Sequence, residues 1–294
     1  MEPISLAAIA VIILATAYAF ARKALLSLTY AVAFLSIYGL AAASTLPFSI
    51  FSPIHLDLGL FYFPGGWPDP WTWITYAFVH GSLSHLFLNV LGIVFISPVF
   101  EGRVGSARWI LLFFGGSVFG ALVFRLLNGD ATALLVGASA GILSIFGAYG
   151  RLYPRDRVTL FLPLPGMPAV PVIYIVIGFL LLQLFLSFSA IGNVAWEAHA
   201  AAIAFGFAVA PAVMRIPLPG GRTRKLASVE PLRDLAMTQE LRTILEEAER
   251  ADIGETRDAW IDKFVKGARC PQCGQPLRRT FGRLRSDCGW SRSL

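Results

Sequence analysis

The sequence predicts an all-α fold: a polytopic bundle of transmembrane helices followed by a small soluble tail. Two observations of composition and one of patterning carry this. Hydrophobic residues make up 56% of the 294 and charged ones only 14%, with a mean hydropathy of +0.67, whereas a soluble domain is about a quarter charged. The charge is unevenly spread, since residues 1–215 hold nine of the 24 Lys and Arg and seven of the 18 Asp and Glu. The remaining fifteen and eleven fall in 216–294, which marks that part as soluble. The apolar residues also gather in runs close to the ~20 residues that cross a hydrocarbon core.

Seven such runs are legible, at roughly 4–20, 26–46, 84–101, 107–128, 134–150, 168–188 and 195–214. The first resembles a signal peptide in position only. Its apolar stretch is long, no basic residue precedes it, and Arg22 and Lys23 follow it, so it reads as a retained helix with its N-terminus outside. Cytoplasmic loops collect Lys and Arg. Arg22-Lys23, Arg103 with Arg108, the Arg151/Arg155/Arg157 loop, and Arg215 with Arg222, Arg224 and Lys225 fall on alternate loops, which places all four inside. Segment 47–83 contains no Lys or Arg and is therefore external, while the tail from 216 is cytoplasmic. Arg125, near the outer end of its helix, is the exception, and its long stem allows it to snorkel. The expected localisation is a multi-pass protein of the plasma or inner membrane. No nucleic-acid partner is expected.

With this orientation, Asn89, Ser139 and His199 each lie about five residues in from the outer end of their runs, roughly 8 Å down at about 1.5 Å per residue. His85 precedes Asn89 by one turn. Polar side chains at such depth are costly unless paired or wetted, so an ionisable one marks a candidate site. A single intramembrane serine ordinarily bonds its own helix or lines a close helix contact. Ser139, however, sits in Gly137-Ala138-Ser139-Ala140-Gly141, where neighbouring side chains are nearly absent and another helix or a substrate backbone can reach the hydroxyl. His199 lies in a similarly small surface, with Ala198, Ala202 and Gly206 in small-xxx-small spacing.

A serine hydroxyl is a weak nucleophile without a base in hydrogen-bond reach, and His199 is the only histidine outside 55–85. Glu197 is the acid nearest to it in sequence, but two residues turn a helix by about 200°, so it faces away. A Ser–His dyad with no orienting acid is expected. Donors aimed at the developing oxyanion are often the largest catalytic contribution. His85 and Asn89, four apart on one helix face, can both donate. His80, outside that helix, is expected to be structural.

The ordered set Thr75-Tyr76-Ala77-Phe78-Val79-His80-Gly81-Ser82, His85, Asn89, Glu101-Gly102-Arg103, Gly137-Ala138-Ser139 and Ala198-His199 resembles the rhomboid family of intramembrane serine proteases. The resemblance covers roughly 26–215. It implies a six-helix core with one extra N-terminal helix in 1–25, Ser139 as nucleophile and His199 as general base and acid. It further implies an oxyanion hole of His85, Asn89 and the Ser139 backbone N–H, with no metal or cofactor for catalysis. Transmembrane proteins in the lipid bilayer would be the substrates. The sequence departs from the common family pattern at Ala140, Leu143 and Ala202, and Trp71-Thr72 stands where a Trp-Arg pair is common. Leu143 replaces an aromatic ring that would stack on the histidine, which puts the anchoring of His199 in question. The Phe61, Tyr62, Phe63, Trp67, Trp71 and Trp73 cluster reads either as an ordinary aromatic belt or, by the resemblance, as a membrane-dipping loop beside the substrate entrance. Glu101 and Arg103 are expected to anchor the fold.

Two other classes of function stand beside this one. A catalytically weak or inactive relative that binds transmembrane helices is disfavoured because Ser139 and His199 are both present. A transporter is disfavoured because no internal repeat and no paired charges appear in the spans.

The tail, 216–294, follows the breaker Pro217-Leu218-Pro219-Gly220-Gly221. Helical spacing is legible over 230–250, and an amphipathic helix is expected from about Thr256 with Trp260, Ile261, Phe264 and Val265. These faces pack on each other or on an unknown cytoplasmic partner. Cys270-Pro-Gln-Cys273-Gly and Cys288-Gly-Trp290 resemble most of a zinc ribbon, but the expected fourth cysteine is Arg285. Structural zinc normally takes four ligands, and Asp287 is poorly spaced to supply the last. A metal-free knuckle is the default expectation and a structural zinc the alternative.

Overall fold

Within a bilayer every backbone polar group needs an internal partner, which leaves helices as the default for spanning segments. The structure, a computed structural model, describes residues 1–45, 51–129, 131–158, 170–188, 195–218, 228–251, 254–280 and 282–293. It divides into two units, Met1–Gly221 and Arg222–Leu294.

In the first unit α1 (Pro3–Arg22) and α2 (Leu26–Ala43) form a hairpin. Lys23 closes it in the left-handed conformation, and the Ala24 N–H donates to the Ala19 carbonyl at 2.9 Å, a Schellman-type ending. The Glu101 carboxylate then caps α2 from afar, accepting from the Leu26 and Ser27 backbone N–H groups at 2.7 and 2.8 Å and from Ser106 Oγ at 2.6 Å. The first N–H groups of a helix have no intrahelical acceptor and favour a negative charge. Glu101 therefore has the anchoring role expected of it. Arg103 forms an ion pair with Asp156.

The chain continues through α3 (Pro53–Leu58), β1 (Leu60–Tyr62), α4 (Thr72–Thr75) and a 3-10 turn at Tyr76–Phe78 to α5 (Leu83–Phe95), α6 (Ser97–Val104) and α7 (Ser106–Asn128). There follow β2 (Ala133–Leu135), α8 (Ser139–Leu152), β3 (Arg157–Val158), β4 (Val170–Pro171), α9 (Val172–Phe188) and α10 (Trp196–Met214). By length and composition α1, α2, α7 and α10 can cross a membrane. A fifth crossing arises if Thr72–Phe78 and Leu83–Phe95, bent by 95°, form one broken span. The bundle is thus a multi-pass membrane fold.

Three of the apolar runs do not fold as continuous helices, among them 168–188, whose described part opens as strand β4 before α9 starts at Val172. The 84–101 run is interrupted at Ile96, where Pro98 in the first turn of α6 cannot supply the N–H that would continue α5. The 134–150 run begins as strand β2, and its helix starts only at Ser139. Between them Gly137 takes φ +113°, a conformation open to glycine and strained for other residues. Strand β2 pairs antiparallel with β1, Leu60 opposite Leu135 and Tyr62 opposite Ala133. Gly192 and Asn193, Leu46, residues 168–169 and residues 219–225, with Arg222, Arg224 and Lys225, lie outside the described residues.

Helices α7, α8 and α10 pack almost backbone to backbone. A Cβ at Gly147 would overlap the Ile203 carbonyl oxygen, one at Gly206 the Ser144 carbonyl oxygen, and one at Gly116 the Ser144 side chain. Small residues allow this approach where lipid supplies no hydrophobic drive between helices. Ser144 Oγ adds a hydrogen bond to the Leu112 carbonyl at 2.8 Å.

In the tail unit, a 3-10 turn at Glu230–Leu235 precedes α11 (Gln239–Arg250) and α12 (Gly254–Gly267), and β5 (Arg278–Thr280), β6 (Arg283–Arg285) and β7 (Ser291–Ser293) form an antiparallel meander. The helical pattern read over 230–250 is therefore broken. The first piece ends at Leu235, and Thr238 caps the second by accepting from the Leu241 N–H at 3.2 Å. Leu232, Leu241, Ile244, Leu245, Ile261, Phe264 and Leu284 share one core, so the amphipathic faces cover one another.

Candidate active site

Ser139 opens α8 and His199 lies in the first turn of α10. Ser139 is thus at the first position of its helix, where a continuous helix over 134–150 would have put it about five residues in, while His199 stands about where the 195–214 run placed it. Gly120 on α7 faces both sites, because a Cβ there would lie 2.5 Å from the Ala198 carbonyl oxygen and 3.5 Å from Ala140 Cβ. That close three-helix contact brings together side chains 60 residues apart. Ser139 Oγ lies 2.7 Å from His199 Nε2, within reach for proton transfer. Both residues are half-buried.

His85 and Asn89 are carried by α5. Asn89 is buried, and its Nδ2 donates to the His85 carbonyl at 3.0 Å, which leaves its second amide hydrogen unused by that bond. Both side chains converge on Gly137. A Cβ there would lie 2.5 Å from His85 Cε1, overlap Nε2, and come within 3.7 Å of Asn89 Nδ2. Gly137 is in turn fixed by its N–H, which donates to the Tyr76 carbonyl at 2.9 Å. The donors on α5 therefore stand beside the segment that leads into Ser139, whose own N–H belongs to the unpaired first turn of α8.

His80 is buried, with its ring 5.2 Å from both Phe34 and His85. Its carbonyl oxygen faces His55 Nε2 at 3.2 Å, and His55 Nδ1 faces Ser52 Oγ at 2.8 Å. His55 lies on α3, in the 47–83 segment. Burial holds its pKa below the ordinary histidine value, while the bond to the His80 carbonyl works the other way. The aromatic cluster of that segment is largely exposed at Phe61, Phe63, Trp67 and Trp71. Trp71 Nε1 donates to the Asp57 carbonyl at 3.0 Å and Thr75 Oγ1 to the Leu58 carbonyl at 2.8 Å, ties that hold the segment around Thr72.

Glu197 lies within 3.4 Å of Asn128 Nδ2. The sequence reading missed Gln183 on α9, whose Oε1 lies 3.2 Å from His199 Nδ1. A lone amide in an otherwise apolar helix was the available signal. Among the described residues no aromatic ring stacks on His199, and Leu143 is buried in the core.

In the tail, Cys270, Cys273 and Cys288 have their sulfur atoms within 4.8 Å of one another. Cys270 Sγ is 3.7 Å from Cys288 Sγ, and Cys273 Sγ is 3.3 Å from Ser286 Oγ. Burial opposes ionisation of Cys270, but hydrogen bonds from the backbone N–H groups of Cys273 and Gln272 and from the Ser286 and Cys273 side chains together bring the thiol down to about 6. Asp287 is exposed and pairs with Arg278 at 3.9 Å.

Comparison with known proteins finds similarity in the membrane unit. Rhomboid-related protein 3 of Homo sapiens is 32% identical over 97 residues, 33% of this chain and 24% of that protein. Rhomboid-like protease 3 of Toxoplasma gondii is 34% identical over 77 residues, 26% and 28% of the two chains. Rhomboid protease GlpG of Yersinia pseudotuberculosis is 24% identical over 110 residues, 37% and 38% of the two. The aligned part thus spans well under half the length of each of these relatives. The family profile of the Rhomboid domain matches residues 68–216, just over half of the chain and the whole stretch from His80 to His199, and on that match the chain belongs to the rhomboid family.

Proposed function

We propose that this protein is an intramembrane serine endopeptidase that hydrolyses peptide bonds in or beside the transmembrane helices of other membrane proteins. The observation that carries the reading is the 2.7 Å contact between Ser139 Oγ and His199 Nε2, assembled from two helices inside an apolar bundle. In this reaction His199 Nε2 takes the Ser139 proton as the oxygen attacks the substrate carbonyl carbon, then returns it to the leaving amine. Water repeats the cycle on the acyl-enzyme and regenerates the hydroxyl. The negative oxygen of each tetrahedral intermediate is received by His85, Asn89 and the Ser139 backbone N–H. This chemistry calls for no metal or cofactor. The basic loops support an external N-terminus, an active site open toward the outer face and a cytoplasmic tail.

The test is cleavage of a single-span substrate in liposomes by the wild type, Ser139→Ala and His199→Ala. Cleavage by the wild type and none by either variant is the expected result. Equal cutting by the variants would sink the dyad. Binding of the substrate without cleavage by the wild type would favour a helix-binding relative without activity.

We also propose that the tail holds one structural zinc through Cys270, Cys273 and Cys288. Tetrahedral zinc with Zn–S bonds near 2.3 Å sets its sulfur atoms about 3.8 Å apart, and the 3.7 Å between Cys270 and Cys288 supports that donor set. The fourth position falls to solvent, since Arg285 stands where a ribbon would supply a cysteine. Metal analysis of the purified full chain should find close to one equivalent of zinc, falling sharply in Cys270→Ser. Under about half an equivalent in the wild type rejects the site.

A further inference from the structure

Helix α9 is the most apolar element of the bundle and presents an uninterrupted row of aliphatic and aromatic side chains from Leu180 to Phe185, apart from Gln183. That one polar residue is also the one turned inward. Gln183 is 4% exposed, whereas Leu181, Leu182, Leu184 and Phe185 are 45–62% exposed. It extends the stripe of buried Val172 and Val176 and half-buried Phe179. Val176 fills the space left by Gly150 on α8, and the Phe179 ring packs 5.2 Å from that of Phe146. The amide is therefore held against α8 and α10 by rigid contacts one and two turns away. An amide in the hydrocarbon region is costly unless paired, and its oxygen lies 3.2 Å from His199 Nδ1.

We propose that Gln183 is the positioning residue of the active site, a neutral third member that fixes the tautomer and ring plane of His199. This rests on the serine protease reading above. A histidine that accepts the Ser139 proton at Nε2 must carry its own proton on Nδ1, and that N–H needs an acceptor. The Gln183 amide oxygen is one, and it offers no charge to compete with. A side-chain amide in the third position is chemically sufficient elsewhere, as in Cys-His-Asn proteases. It takes the part that a stacked ring at position 143 would play in holding the imidazole, and it succeeds where Glu197 on the same helix points to Asn128 instead. Among the described residues, the titratable side chain that acts on His199 is His85 of α5.

Three variants of the full chain in liposomes test this: Gln183→Leu, Gln183→Glu and Gln183→Asn. Gln183→Leu keeps the volume, so KM and melting temperature stay near those of the wild type while kcat falls about 10–100-fold. Gln183→Glu retains cleavage and moves the acid limb of the kcat/KM profile to higher pH, because a carboxylate holds the imidazolium more strongly. Gln183→Asn, one methylene short, falls between wild type and Gln183→Leu. A merely structural glutamine would lower melting temperature in Gln183→Leu and leave the acid limb in place in Gln183→Glu, and that pattern overturns the proposal, as does an unchanged kcat in Gln183→Leu. Nitrogen NMR of histidine-labelled protein reads the tautomer without any substrate. The His199 signal should show Nδ1–H in the wild type and lose that preference in Gln183→Leu. If the wild type cuts nothing but the tautomer still depends on Gln183, the protease reading fails and the positioning role stands. If the tautomer is the same in both proteins, the positioning role fails whatever is cleaved.

Discussion

At the scale of single residues, the site depends on one backbone conformation as much as on its reactive side chains. Gly137 at φ +113° lets the His85 ring and the Asn89 amide reach the segment ahead of Ser139. An alanine there is strained in its backbone and would occupy the His85 ring position, so Gly137→Ala should lower kcat by at least the 10²–10³ that follows loss of one oxyanion donor. Asn89→Ala should fall in that same range with KM little changed. Steady-state cleavage kinetics check both, and a Gly137→Ala enzyme with wild-type kcat would remove the glycine from the site. The candidate residues were legible in the sequence because serine, histidine and asparagine are conspicuous against apolar helices. The left-handed glycine was legible only as a small residue, since spacing carries no φ angle. Gln183 escaped because it is 16 residues from its partner on a different helix and belongs to no motif.

Between elements, the decisive contacts are those in which α7, α8 and α10 approach with nothing but hydrogen at the crossing. Gly206 packs on the Ser144 carbonyl and Gly147 on the Ile203 carbonyl, and backbone cannot rotate away from an intruding side chain as a flexible side chain could. Overpacking a core commonly costs about 1–3 kcal/mol. Gly206→Val should reach the upper part of that range and abolish cleavage through separation of Ser139 from His199. Melting in detergent and the cleavage assay together check this, and unaltered activity would show that the crossing is not what sets the distance. Hydrophobic runs revealed where helices lie, and small-xxx-small spacing revealed one face of α10. The runs overstated helix at 84–101 and 134–150, because hydropathy is blind to the missing N–H of Pro98 and to the strand pairing that claims residues 133–135.

For the whole molecule, stability against acid follows from the segment that carries His55. The neutral His55 ring joins Ser52 to the His80 carbonyl, and burial holds its folded pKa below the unfolded value of about 6.5. The unfolded chain therefore takes up the proton first as pH falls. The stabilisation is full above pH ~6.5 and is lost progressively below it. Melting temperature in detergent should decline from pH 7 to pH 5, and His55→Gln should flatten part of that slope. An unchanged slope would assign the acid sensitivity to other groups. The contrast between an apolar stretch and a charge-rich tail was plain from composition, whereas the tail's own core was not, since its amphipathic faces could equally have packed on a partner. The pairing of cysteines 270, 273 and 288 around a common point was legible from spacing, and only the missing fourth ligand obscured what it could hold.

The pairing of Leu60–Tyr62 with Ala133–Leu135 also acts as a ruler. Strand registers move in whole residues, and a slip of one reverses which side chains face inward. Because Gly137 lies only two residues past the last paired position, the ladder fixes how much chain is available to reach the start of α8. An insertion of one residue between Leu135 and Gly137 would leave every helix its full length and still put the wrong residue at the left-handed bend. The proposed nucleophile is thus located by counting from a strand outside the helical bundle, and under the protease reading changes in loop length there are as consequential as changes in Ser139 and His199 themselves.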